Sequence, residues 1–128
     1  MLLMRDVIAT DQGPKAIGPY SQGIRANGFI FLSGQIPLDP ATQQIVEGDI
    51  QAQTERVLQN VKVILDDQKL TFANVVKSTV FLTDLANFAG MNEVYGRYFT
   101  DNFLARSTIQ VAALPKGASV EIEVIAHF

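Results

Sequence analysis

The sequence predicts an α+β domain in which a mixed β-sheet carries two helices on one face. Three observations lead there. Two stretches of helical period lie at about 49–67 and 85–100, a β-branched run separates them, and β-prone segments sit at both ends of the chain. The predicted order is hairpin, helix, strand, helix, strand, strand.

In "SQGIRANGFIFLSGQIPLD", Asn27-Gly28 joins two β-prone runs. Asn-Gly tolerates the positive φ values of a type I′ turn, so the segment reads as a hairpin with strands near 22–26 and 29–34. Pro37 and Pro40 then end the sheet pattern. Residues 49–67 read as a helix with Asp49 as N-cap. Ile50, Val57, Leu58, Val61, Ile64 and Leu65 share one face, and Gln51, Glu55, Gln59, Lys62 and Asp66 the other. "VVKSTVFL" (75–82) reads as a strand buried on at least one face. The second helix follows Asp84 and aligns Phe88, Met91, Tyr95, Tyr98 and Phe99, with Gly90 and Gly96 weakening its regularity. Two strands, 107–112 and 119–127, flank "LPKGA". In the last, Val120, Ile122, Val124 and Ala126 face one way, and Glu121, Glu123, Ile125 and His127 the other. Helices on one side leave the other side of the sheet open, and association of subunits is the usual cover for such a face when it is apolar.

Composition narrows the function. The 128 residues suit one domain, taken as 1–128, with 48% apolar and 18% charged residues. Mean hydropathy is slightly positive, yet no apolar run approaches the ~20 residues that span a bilayer. "MLLMRD" lacks the apolar stretch of a signal peptide, so the expectation is a soluble, non-exported protein. The chain has no cysteine and one histidine, His127, which excludes disulfides, thiol nucleophiles and cysteine zinc sites. A net charge of −3 disfavours general nucleic-acid binding. Neither GxxxxGK[ST] nor GxGxxG occurs.

The chemistry-bearing residues cluster in "ARSTIQVAALPKGASVEIE" (105–123). Alternation alone makes Glu121 and Glu123 an exposed strand face; as a working group, one of them would act as a general base on water. Arg106 reads as a surface ion-pair partner or as a fork gripping a ligand carboxylate. In a plain hairpin centred near Lys116, Arg106 would lie opposite about residue 126, roughly 17 Å from Glu121. One ligand then reaches both only if the two strands are not directly paired, or if two chains build the site. Tyr20 in "IGPYSQG" offers a phenol to a pocket or packs in a turn. Ser33-Gly34 in "SGQIP" allows close backbone approach or forms a bulge. Asn92 is a helix-surface or a pocket-lining amide.

Taken together, "AIGPYSQGI" (16–24), "LSGQIPLDP" (32–40), "VVKSTVFLTDL" (75–85), "NEVYGRYF" (92–99) and "ARSTIQVAALPKGASVEIEVIA" (105–126) closely resemble the Rid (YjgF) family, in particular its RidA-type imine and enamine deaminases. The resemblance implies a chorismate-mutase-like fold assembled as a homotrimer, with ligand clefts between subunits. It implies hydrolysis of short-lived 2-imino acids and enamines such as 2-aminoacrylate and 2-iminobutanoate, released by pyridoxal-phosphate dehydratases, to a 2-oxo acid and ammonia. No metal or cofactor and no membrane or nucleic-acid partner is implied, and the expected location is the cytoplasm.

By matching position, the resemblance gives Arg106 the substrate carboxylate and Glu121 the attacking water. Tyr20, Ser33, Gly34, Asn92 and Thr108 line the cleft. Thr108 stands where many members have cysteine, Leu104 where proline is usual, and Gln110 and Ala113 replace common charged residues; substrate range is the property these departures touch. The rival readings are a metabolite-binding trimer that uses the cleft without turnover, which needs Arg106 but not Glu121, and an RNA-directed activity, which the acidic charge disfavours.

Overall fold

The computed structural model describes residues 5–128. The expectation drawn from "MLLMRD" rests mainly on residues outside that range. Eight strands and two α-helices follow in the order β1 (Arg5–Ile8), β2 (Gly23–Ala26), β3 (Phe29–Gln35), β4 (Leu38–Asp39), β5 (Gln44–Ile45), α1 (Ile50–Asp67), β6 (Val75–Leu82), α2 (Phe88–Tyr98), β7 (Ala105–Gln110) and β8 (Val120–His127). Short 3₁₀ turns precede β6, α2 and β8.

The predicted hairpin is β2–β3. Asn27 and Gly28 both have positive φ, 52° and 82°, and the strands pair antiparallel with Ala26 opposite Phe29. Asp49 caps α1 by accepting the N–H of Ala52 at 3.0 Å. The second helix is shorter than expected. Asp84 caps a 3₁₀ turn over Leu85–Asn87, and α2 begins only at Phe88. β1 and the small β4–β5 sheet were not anticipated. β4 and β5 are two residues each, too short to leave a pattern of alternation.

Six strands form one sheet in the order β1-β2-β3-β8-β6-β7. Among the described residues only the edge pair β6–β7 is parallel; the last strand inserts antiparallel between β3 and β6. The two C-terminal strands are therefore not a hairpin, because β6 separates them.

Both helices cover the same face. Val57, Leu58, Val61 and Ile64 of α1 pack with Ile30, Leu32, Val80, Val120, Ile122 and Val124 of the sheet, and Met91 and Val94 of α2 complete this core. Asn60 is wholly buried in α1 and ties down the segment after β3: its Nδ2 donates to the carbonyls of Ile36 at 3.2 Å and Leu38 at 2.9 Å. Among the described residues no helix covers the other face, where Phe31 and Ile109 stand 44% and 45% exposed.

Candidate functional site

A bulge builds the first part of the site. Leu32 pairs with Val124 and Gln35 with Ile122, so Ser33 and Gly34 together oppose the single residue between them on β8. The Ser33 amide and hydroxyl both donate to the preceding segment, to Gln22 O at 2.9 Å and Ser21 O at 2.6 Å. The Ser33-Gly34 backbone thereby turns its surface toward Glu121, whose carboxyl lies against Gly34. A cavity of about 330 Å³ opens here, with Tyr20, Ser33, Gly34, Pro115, Lys15 and Glu121 in its walls. The Tyr20 hydroxyl accepts the Ile17 N–H at 3.3 Å, while its ring stays exposed.

The wall opposite is held by a residue that sequence reasoning missed. Buried Gln22 accepts the Thr10 N–H at 2.6 Å and donates to the carbonyls of Thr10 at 3.0 Å and Pro14 at 2.8 Å, which fixes the 10–14 loop. The signal was a polar side chain at the buried entry of a strand. Glu121 is half-buried, and its pKa is raised, first by desolvation and then by the neighbouring charge of Glu123.

The second part lies around Arg106. Its Nη1 donates to Asn92 Oδ1 at 2.7 Å. The guanidinium also sits 4.7 Å from the ring centre of Tyr95 and 5.6 Å from that of Phe88. Phe88, Asn92 and Tyr95 are spaced i, i+4, i+7 along α2 and form one stripe beneath it. Periodicity marked Phe88 and Tyr95 only as core. Among the described residues the ion pairs are Lys62–Asp66 and Arg97–Glu93 on exposed helix surfaces, and Arg106 has no acidic partner. A second cavity of about 330 Å³ adjoins it, lined by Asn92, Tyr95, Gly96, Phe99, Phe103, Leu104 and Arg106. Thr108 lies on the same side of β7, and its hydroxyl is enclosed without a hydrogen-bond partner; it lines neither cavity.

Arg106 and Glu121 face opposite sides of the sheet. Arg106 pairs with Ser78 and Ser78 with Val124, a row that points at the helices. Glu121 pairs with Phe81, three residues further along β6 and on the open side. Two strand spacings and three residues along the strand separate them by roughly 14 Å of sheet. The first escape foreseen from sequence, strands that are not directly paired, is realised, yet it does not bring the two groups together. Within one chain they belong to two separate cavities.

Among the described residues, no group of three or more His, Cys, Asp or Glu side chains is placed to hold a metal ion, and no helix is long and apolar enough to cross a membrane.

A mixed sheet with both helices on one face, one cavity beside Arg106 and another beside Glu121 and Lys15, defines a small α+β protein. The chain belongs to the Rid (YjgF) family: residues 10–128 match the family model described as Endoribonuclease L-PSP. It is 57% identical to Protein DfrA of Myxococcus xanthus, covering 97% of this chain and 96% of that one. It is 47% identical to the human 2-iminobutanoate/2-iminopropanoate deaminase, covering 97% and 90%. The solved structure of Escherichia coli TdcF with bound serine superposes with a TM-score of 0.91 at 44% identity, covering 96% and 98%.

Proposed function

We propose that this chain is a deaminase of reactive 2-imino acids and their enamine tautomers. In this reading it works as a trimer in which each cleft joins the Arg106 cavity of one copy to the Glu121 cavity of the next. The observation that carries the reading is the state of Arg106. It is a partly buried guanidinium, oriented by Asn92 and two rings, with N–H donors left over and no carboxylate of its own among the described residues. Such a group is a receptor waiting for an acid. The name of the human relative and the serine held by the bacterial one support a small amino-acid-derived ligand.

The chemistry asks little of the protein, because the C=N bond is already activated. Arg106 holds the substrate carboxylate and fixes C2. Glu121, ionised, accepts a proton from a water as its oxygen bonds to C2, and the C=N electrons move to nitrogen. The proton passes from Glu121 to that nitrogen, giving a carbinolamine. Glu121 then takes the C2 hydroxyl proton and hands it to the nitrogen as the C–N bond breaks, so that ammonia leaves and the C=O of the 2-oxo acid forms. The raised pKa of Glu121 suits both roles, since a carboxyl nearer neutrality gives and takes a proton with less penalty. Tyr20, Ser33 and Gly34 shape the water side of the cleft and Asn92 the carboxylate side, with Thr108 two residues beyond Arg106 on the same side of β7. The working location is the cytoplasm, beside the pyridoxal-phosphate dehydratases that release such imines.

The test is a coupled assay in which a serine or threonine dehydratase generates the enamine and 2-oxo acid formation is followed. Wild type should accelerate it, and Arg106→Ala and Glu121→Ala should each abolish the acceleration. No acceleration, with pyruvate still bound through Arg106, would instead make the protein a sensor of such acids.

A further inference from the structure

One polar couple in the core is not explained by packing. Ser78 lies in the middle of β6 with its side chain wholly buried, and its Oγ is 2.6 Å from the Tyr95 hydroxyl. Two apolar groups of the same shape would fill this space at no loss, because a buried hydroxyl pair gains little over its desolvation. The couple does have one connection an apolar pair could not supply. Ser78 and Arg106 are direct partners in the parallel β6–β7 ladder and rise from adjacent strands toward α2. Tyr95 touches both, with its hydroxyl on Ser78 and its ring face 4.7 Å from the guanidinium. The bond to Ser78 fixes the ring against the sheet, and the ring with Asn92 fixes the direction of the remaining Arg106 donors.

We infer that Ser78 and Tyr95 are positioning residues that aim the Arg106 guanidinium at the carboxylate of the ligand. The inference rests on the proposed role of Arg106 as a carboxylate receptor, but not on turnover, since binding alone reads it out.

Pyruvate, the simplest 2-oxo acid product, is titrated calorimetrically into the full chain as wild type, Tyr95→Phe, Ser78→Ala and the double variant. Each single variant leaves one buried hydroxyl unpaired and should melt lower; the double variant leaves none and should recover the melting temperature. Affinity should behave differently. It should fall about 5–10-fold in all three variants, the equivalent of one lost hydrogen bond, and not recover in the double. The Arg106 Nε–H signal in NMR, assigned with Arg106→Lys, should move in the same three proteins. In the turnover assay KM should rise by the same factor while kcat holds. A double variant that binds pyruvate like wild type, with the Arg106 signal unmoved, would overturn the inference and leave the couple as packing. Tyr95→Phe retains the ring and so carries the same two readouts alone if the double variant does not fold. Wild type failing to bind pyruvate is a separate result, which would sink the receptor role itself.

Discussion

Gly34 of β3 lies directly under the carboxyl of Glu121 on the neighbouring β8. A β-carbon at position 34 would stand 2.8 Å from Glu121 Cδ and collide with its Oε2. The bulge at Ser33-Gly34 and the missing side chain together make the place in which the carboxyl rests.

Gly34→Ala should therefore separate activity from stability. The atom it strikes is the far end of a flexible side chain, so relaxation keeps the folding cost at or below about 1–2 kcal/mol. A carboxyl moved by even an ångström loses its alignment with the attacked carbon, and kcat/KM should fall by roughly tenfold or more. Denaturant unfolding beside the coupled assay checks both; an active Gly34→Ala would show that Glu121 does not work from this position.

Glu121 should be a source of instability at neutral pH. Its folded pKa lies above its unfolded value because burial, and then Glu123, disfavour the charge. Between those two values the folded state holds a proton that the unfolded state has lost. Stability contributed by this group is thus present at low pH and lost as pH rises through the folded pKa. Glu121→Gln should be more stable than wild type at pH 7, with the difference vanishing below the ordinary carboxylate range, while activity is lost. Urea midpoints of both proteins measured across pH decide it; a variant whose advantage over wild type is no larger at pH 7 than at pH 3 contradicts the assignment.

Asn60→Ala should cost more than its surface-like residue type suggests. The wholly buried amide serves the carbonyls of Ile36 and Leu38, two residues that also line the Glu121 cavity. The Ile36 carbonyl keeps the Leu38 N–H at 2.7 Å, so the variant deprives chiefly the Leu38 carbonyl of its partner, at a cost of about 1–3 kcal/mol. Amide exchange should quicken around 36–38 before it does in β8. A change below about 0.5 kcal/mol would mean that water replaces the amide.

Local signals in the sequence carried most of the elements. Asn27-Gly28 marked the hairpin because only a few residue types accept two positive φ values in succession, and Asp49 marked the start of α1 by its ability to cap. The insertion of β8 between β3 and β6 left no local trace, since strand order is decided by which faces bury together. The site inherits that limit. Arg106 and Glu121 stood out as charges on apolar strands, yet their opposite facing depends on a register three residues apart across β6. Ser78 was illegible for a related reason: it is a polar residue in a β-prone run whose partner, Tyr95, lies on the next helix.

The most direct test of the central claim uses the opposite facing of Arg106 and Glu121. Arg106→Ala and Glu121→Ala chains, each inactive alone, are co-expressed in equal amounts and their activity is measured. If each cleft takes Arg106 from one copy and Glu121 from another, about a quarter of the clefts in randomly mixed ring trimers regain both groups. Activity should return to a comparable fraction of wild type. Mixed trimers that form but stay inactive would contradict a site shared between chains.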